Sequence, residues 1–214
     1  MPAESAPLTS AHRAPSSVNG KRVLWSLLAV ATLWVVFSNE VLLLIDYPLF
    51  REYRQLMIQD RALLIPHAVF GCVAFFTGPL QFSSRLRQRR PGLHRLMGRS
   101  YVIAVYAAAL TAFAIGWDRP LLPATLAQGL TWIVVTTAAW VLARNGQIAA
   151  HRQWVARSYA VTFTFVSLRI PSVWPAYWNL PEASSVYVIT ATTLASVLVA
   201  DLVMHWRELR GRRG

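Results

Sequence analysis

Six apolar stretches, each roughly twenty residues long, run along the chain, and the segments between and flanking them hold most of its charge. As helices rising about 1.5 Å per residue, each is long enough to cross a hydrocarbon core of about 30 Å. The pattern predicts transmembrane helices over Val23–Ile45, Ala62–Phe82, Met97–Trp117, Leu121–Ala143, Trp154–Trp174 and Ser185–His205. The chain therefore reads as an all-α integral membrane protein, a six-helix transmembrane bundle over residues 21–206. Residues 1–20, rich in Ala, Pro and Ser, read as a disordered tail, and 207–214 as a basic one. The first stretch ends in Leu44-Ile45-Asp46-Tyr47-Pro48, which offers no small-residue cleavage site, so it reads as a retained anchor. The connection Asp46–Arg61 has room for a short interfacial helix carrying Phe50, Tyr53 and Met57, whereas Asp118-Arg119-Pro120 is a tight turn.

Composition agrees with this pattern. Of 214 residues, 55% are hydrophobic and 14% charged, and the mean hydropathy is +0.40; a soluble domain carries about a quarter charged residues. The net charge of +12 would suggest nucleic acid in a soluble chain. Here the arginines fall in short connections, so the charge reports topology, the lipid bilayer is the partner and nucleic acid is not. One side collects Arg13, Lys21 and Arg22, then Arg85, Arg87, Arg89, Arg90, Arg95 and Arg99, then Arg144, Arg152 and Arg157, then Arg207, Arg210, Arg212 and Arg213. The other side has Arg51, Arg54, Arg61 and Arg119. That bias puts both termini in the cytoplasm. Trp25, Trp117, Trp154, Trp174, Trp178 and Trp206 fall near span ends, as an aromatic belt requires. The lone Cys72 lies inside an apolar run and reads as packing.

One cluster occurs twice. His94-Arg95-Leu96-Met97-Gly98-Arg99-Ser100-Tyr101 follows Arg90-Pro91-Gly92, and His151-Arg152-Gln153-Trp154-Val155-Ala156-Arg157-Ser158-Tyr159 follows Asn145-Gly146. If helices start at those turn signals, both histidines sit in a first turn at the cytoplasmic boundary. The hairpins of spans two–three and four–five then read either as similar units in one orientation or as a chance likeness between positive-inside loops.

Helical spacing sorts the polar residues into two layers. His151, Ser158, Thr162 and Arg169, at offsets of 7, 11 and 18, share a narrow stripe that should face helices or water. His94, Gly98, Tyr101, Ala108 and Ala112 share another, and His67, Gly71, Ala74 and Gly78 a third, whose small residues allow close approach. Glu40, His67, Gln128 and Arg169 lie about five residues inside the outer ends of their spans, roughly 7 Å deep. This outer layer reads either as a structural Glu40–Arg169 pair with His67 beside it, or as a pocket open to the periplasmic side. The inner layer holds His94, His151, Asp201 and His205. Asp201 and His205, four apart, can pair on one face. The histidines either cap and anchor loops or present two neutral imidazoles to one haem iron, with Arg95, Arg99, Arg152 and Arg157 on its propionates and Tyr101 beside them.

At these residues the chain resembles the DUF2306-type family of uncharacterised bacterial predicted membrane proteins. The resemblance rests on His67, Gly78-Pro79-Leu80-Gln81-Phe82, the arginine loop, His94-Arg95-Leu96-Met97-Gly98-Arg99 with Tyr101, His151-Arg152-Gln153-Trp154, Arg157-Ser158 and Arg169. It departs at Val155-Ala156, where the family often has a methionine before the Arg-Ser. The resemblance implies a multi-pass protein of the bacterial cytoplasmic (inner) membrane and supplies no reaction.

Three functions remain open on sequence. The first is binding of a membrane cofactor, haem b or quinone, at His94, His151, Arg95, Arg99, Arg152, Arg157 and Tyr101, for electron transfer or oxidase maturation. A membrane redox partner or a homo-oligomer goes with it, and any metal would be the iron between His94 and His151. The second is a small transporter for an anionic solute, using the stripe from His151 to Arg169. The third is a non-catalytic accessory or sensor subunit. No Walker loop, nucleophile elbow or His-Glu-x-x-His is present, so hydrolysis of nucleotide, ester or peptide has no support and no catalytic residue is assigned.

Overall fold

A computed structural model describes residues 20–38, 61–170 and 181–211, and among these every element is helical. They are α1 (Gly20–Val36), α2 (Arg61–Thr77), a 3-10 turn (Pro79–Phe82), α3 (Ser84–Arg89), α4 (Pro91–Gly116), α5 (Leu122–Arg144), α6 (Ile148–Arg169) and α7 (Glu182–Gly211).

The helix ends follow local chemistry. Pro79 opens the 3-10 turn and Pro91 opens α4, at positions where a missing N–H costs nothing. Ser83 caps α3 by accepting the Leu86 N–H at 3.1 Å. α5 stops at Gly146, whose φ of 72° suits glycine. There Gly146 N–H donates to Ala143 and Gln147 N–H to Leu142, closing the last carbonyls in a Schellman pattern. These stops set the mouths of the two helices that carry the repeated cluster. His94 is the fourth residue of α4 and its N–H donates to Arg90; His151 is the fourth of α6 and its N–H donates to Gln147. Both helices therefore start about six residues before the spans drawn from hydropathy alone.

α2, α4, α5 and α6 form a closed ring of antiparallel neighbours. His67 and Gln81 of the first hairpin meet Ala108 and Gly98 of α4. Gly116, Gly129 and Tyr106 mark the α4–α5 seam through Thr125, Phe113 and Thr137. Gln128, Trp132, Thr136 and Ala139 of α5 pair in descending order with Thr164, Thr162, Ser158 and His151 of α6. Phe75 of α2 stacks with Phe163 and tilts against Tyr159 of α6, closing the ring. α7 lies outside it against α6 and α5, and α1 touches α6. Small residues make the seams: Ala74, Ala108 and Ala124 are fully buried.

Four stretches are long and apolar enough to cross a membrane: Arg61–Phe82, Pro91–Gly116, Leu122–Arg144 and Ser184–Trp206. At most 28% of each is buried inside the protein, and Ile103, Leu110, Val134 and Val203 point outward with 60% or more of their surface exposed. Such a surface suits lipid, not water. Of the six expected spans, four meet that length and apolarity among the described residues. α6 is 22 residues long, yet it carries His151, Arg152, Arg157, Arg169 and several hydroxyls, which it can hold because α2, α5 and α7 enclose it. The expected first span is described only as α1 and the turn after it, and Glu40, the Asp46–Arg61 connection except Arg61, Trp174 and Trp178 lie outside the described residues. α7 runs on to Gly211, through part of the expected carboxyl tail.

The α4–α5 seam yields a test. A Cβ on buried Gly129 would run into the Phe113 ring, whereas nothing lies within 4 Å of one on Gly71. Gly129→Ala should lower stability by about 1–3 kcal/mol, and Gly71→Ala should leave it unchanged or slightly higher; thermal unfolding in detergent checks both.

Candidate functional site

The two cluster histidines face one cavity. It has a volume of about 580 Å³ and lies inside the ring, at the end where α4 and α6 begin and α2 and α5 finish. His94 and Arg95 with Arg99 come from α4, His151 and Arg152 from α6, Arg144 from the last turn of α5 and Arg87 from α3. Phe82, Val102, Trp140 and Val155 supply apolar wall, and Tyr101, Thr136 and Ser158 the floor. No carboxylate lines it. Among the described residues, none of these five arginines makes an ion pair. The cavity is thus a positive concavity with low-dielectric walls, which concentrates anions.

The imidazoles are held differently. His151 Nδ1 lies 2.8 Å from the Ala139 carbonyl. A carbonyl only accepts, so Nδ1 carries the proton and Nε2 is left as the acceptor or ligand atom. His94 Nδ1 is buried and has no hydrogen-bond partner, and the same is true of Gln81 Nε2 on the same wall. Buried polar atoms are usually paired, so two orphans in one cavity point to a ligand or ordered water there.

The floor is a hydrogen-bonded layer. Tyr101 reaches from α4 across the ring, and its hydroxyl lies 2.7 Å from both Ser158 and Thr162 of α6. Thr136 joins Ser158 at 2.7 Å, and Trp132 Nε1 donates to Thr162 at 2.9 Å. Tyr101 and Ser158 are each seven residues past their cluster histidine, so equivalent positions of the two copies meet.

Beyond that layer lies a smaller cavity of about 110 Å³ lined by His67, Gln128 and Arg169 among others. His67 Nδ1 donates to the Ala108 carbonyl at 2.9 Å. Gln128 donates to Thr164 at 2.7 Å. Arg169 donates to the Phe165 carbonyl at 3.1 Å and stacks 3.9 Å over its ring. Three residues of the expected outer layer therefore surround one space; Glu40, the fourth, lies outside the described residues.

The expected inner set is brought together except for Arg157. That side chain turns away from the cavity to Asp201 of α7 at 2.7 Å, with its guanidinium 4.8 Å over Trp154. The contact is an ion pair by distance, although the N–H is not aimed along the oxygen's hydrogen-bonding direction. The expected Asp201–His205 side-chain pair is corrected in the same way. His205 donates instead to the Asp201 backbone carbonyl at 2.9 Å, one turn back, which leaves the carboxylate to Arg157. Hydropathy and charge had placed Arg87 and Arg144 as topology signals only. Thr136 and Trp132 were missed, although Gln128, Trp132, Thr136 and Ala139 form a stripe on α5 at the same spacing that reveals α6. Among the described residues no three His, Cys, Asp or Glu side chains converge, and of these types the cavity holds His94 and His151.

The model of the family described as predicted membrane protein (DUF2306) matches residues 64–204, which span both hairpins and most of α7. The chain belongs to that family. No curated protein and no solved structure matches it.

Arg157 and Asp201 tie α7 to the ring, at side-chain exposures of 15% and 37%. Asp201→Asn should destabilise the protein by about 1–2 kcal/mol. A double-mutant cycle with Arg157→Gln, read by thermal unfolding, should recover a coupling of about 1 kcal/mol.

Proposed function

We propose that this DUF2306 protein crosses the bacterial cytoplasmic membrane six times, with both ends in the cytoplasm, and binds a flat membrane cofactor, haem or quinone, between the mouths of α4 and α6. Haem b fits best, serving electron transfer with a membrane redox partner or oxidase maturation. The observation that carries this reading is the meeting of His94 and His151, from separate helices, in one carboxylate-free cavity with Arg95, Arg99 and Arg152. Its volume of about 580 Å³ is within the range for cofactor-sized ligands. His151 is oriented by the Ala139 carbonyl, the outer-shell arrangement that fixes a ligating imidazole. His94, with its orphaned Nδ1, lacks that anchor until something occupies the cavity. The arginines answer carboxylates, because guanidinium binds them in a fork and no protein carboxylate competes. When bound, such a group supplies one-electron chemistry. The chain's part is to orient it, screen its anionic edge and keep water from its faces with Phe82, Val102, Trp140 and Val155.

A second reading, transport of a small anionic solute, draws on the two cavities on either side of one closed layer. Ser158 and Thr162 are 0% and 4% exposed, so in this state the layer admits no solute.

Two measurements separate these. Protein purified after expression with a haem precursor should show a Soret band that is lost in His94→Ala and in His151→Ala, each still folded. A missing band together with a quinone at one equivalent in the lipid extract moves the ligand to quinone; absence of both overturns cofactor binding. In a Cys72→Ser background, cysteines at Ser158 and Thr162 should resist aqueous thiol reagents under the cofactor reading. Labelling of both in the presence of an anionic solute would favour transport.

A further inference from the structure

The hydroxyls between the two cavities form an unbroken chain. Thr136 Oγ1, Ser158 Oγ, Tyr101 Oη and Thr162 Oγ1 follow one another at 2.7, 2.7 and 2.7 Å. Thr136, Ser158 and Tyr101 line the histidine cavity, and Thr162 lines the small one. All four side chains are buried, none more than 6% exposed. Other threonines of these helices satisfy themselves locally: Thr131 donates to Ala127 and Thr137 to Ile133, each one turn back. Thr162 also donates one turn back, to Ser158, but the four chain members together link three helices.

The polarity of the chain is fixed by its neighbours. Thr162 receives the Trp132 N–H at 2.9 Å and can donate to the Ser158 carbonyl at 3.0 Å. Its oxygen then accepts from Tyr101, Tyr101 accepts from Ser158, and Ser158 accepts from Thr136. The hydrogens of Thr136, Ser158 and Tyr101 then point from the histidine cavity towards the small cavity, while that of Thr162 rests on the Ser158 carbonyl. Each oxygen is donor and acceptor at once, which is what proton hopping requires and what an apolar or amide-filled core cannot offer.

We propose that Thr136, Ser158, Tyr101 and Thr162 conduct protons between the two cavities. A proton from water or an imidazole in the histidine cavity bonds to Thr136 Oγ1. In one concerted shift Thr136 passes its own hydrogen to Ser158, Ser158 to Tyr101, and Tyr101 to Thr162. Thr162 turns its hydrogen off the Ser158 carbonyl and releases it to water in the small cavity. One positive charge moves, no residue gains or loses a hydrogen, and rotation of the four hydroxyls restores the starting polarity. His94, His151, Arg87, Arg95, Arg99, Arg144 and Arg152 face the entry cavity, and His67 and Arg169 face the exit cavity. With its Nδ1 proton committed to Ala108, His67 keeps Nε2 as an acceptor for the proton that arrives. The path holds whatever ligand the arginine cavity takes.

The test uses the full chain in liposomes with a trapped pH-sensitive dye and a potassium diffusion potential set by valinomycin. Wild-type vesicles should acidify or alkalinise faster than protein-free ones. Tyr101→Phe keeps the ring and removes the central link, and Thr162→Val keeps the shape and removes the exit hydroxyl. Each should slow the protein-dependent flux by roughly tenfold or more, because an interrupted chain leaves a buried donor without its acceptor. Thr131→Val, outside the chain, should conduct like wild type. Circular dichroism and thermal unfolding establish that each variant is folded; should Tyr101→Phe not fold, the isosteric Thr162→Val carries the comparison. Wild type no faster than protein-free vesicles, or a folded chain variant as fast as wild type, overturns the proposal.

Discussion

A hydroxyl, imidazole or guanidinium surrounded by hydrocarbon must find its partner inside the protein, because lipid offers none. α6 concentrates that demand: Ser158, Thr162 and Thr164 are buried, and Arg157 and Arg169 flank them. The ring of α2, α4, α5 and α6 is the arrangement that meets it. α5 supplies Gln128, Trp132 and Thr136, α4 supplies Tyr101 from across the centre, and α7 supplies Asp201. Apolar packing alone would not choose this neighbour for α6, since its outward-facing rivals are equally greasy. The hydrogen bonds make the choice.

The twice-used cluster follows from the same geometry. Each copy begins one turn into a helix whose start is fixed by a turn signal, so the histidine always falls at the fourth helical residue. Seven residues on, the chain has climbed about two turns, which returns Tyr101 and Ser158 to the histidine face. Two helices built this way and set across a ring bring like positions together: His94 with His151 around the cavity, Tyr101 bonded to Ser158 below it. The arginines serve two constraints at once. They sit at helix mouths as a topology signal requires, and because both mouths open on one space, they also charge it.

Much of this was legible beforehand. Hydropathy marks the apolar helices of α2, α4, α5 and α7 because lipid-facing surfaces must be continuous. The stripe of His151, Ser158, Thr162 and Arg169 identifies the enclosed face of α6 because 3.6 residues per turn leave no other way to align them. Asn145-Gly146 and Pro91 locate the helix starts through φ restriction and a missing N–H. The partner of Arg157 was not legible: Asp201 is four residues from His205 on its own helix, and only the packing of α7 against α6 brings the carboxylate within reach of the guanidinium. Nor were the orphaned atoms of His94 and Gln81, since whether a polar atom is paired depends on every neighbour and not on its own segment.

The amino-acid sequence by itself determined that this chain is helical, belongs in a bilayer and carries histidines at two helix mouths. Those properties depend on local periodicity, turn chemistry and the transfer of single side chains into oil. Only the tertiary structure decided that the two mouths share one cavity, that Arg157 leaves it, and that four hydroxyls join end to end beneath it. Each of these is a distance between residues far apart in the chain, and such distances are fixed by how helices pack rather than by what any one helix contains.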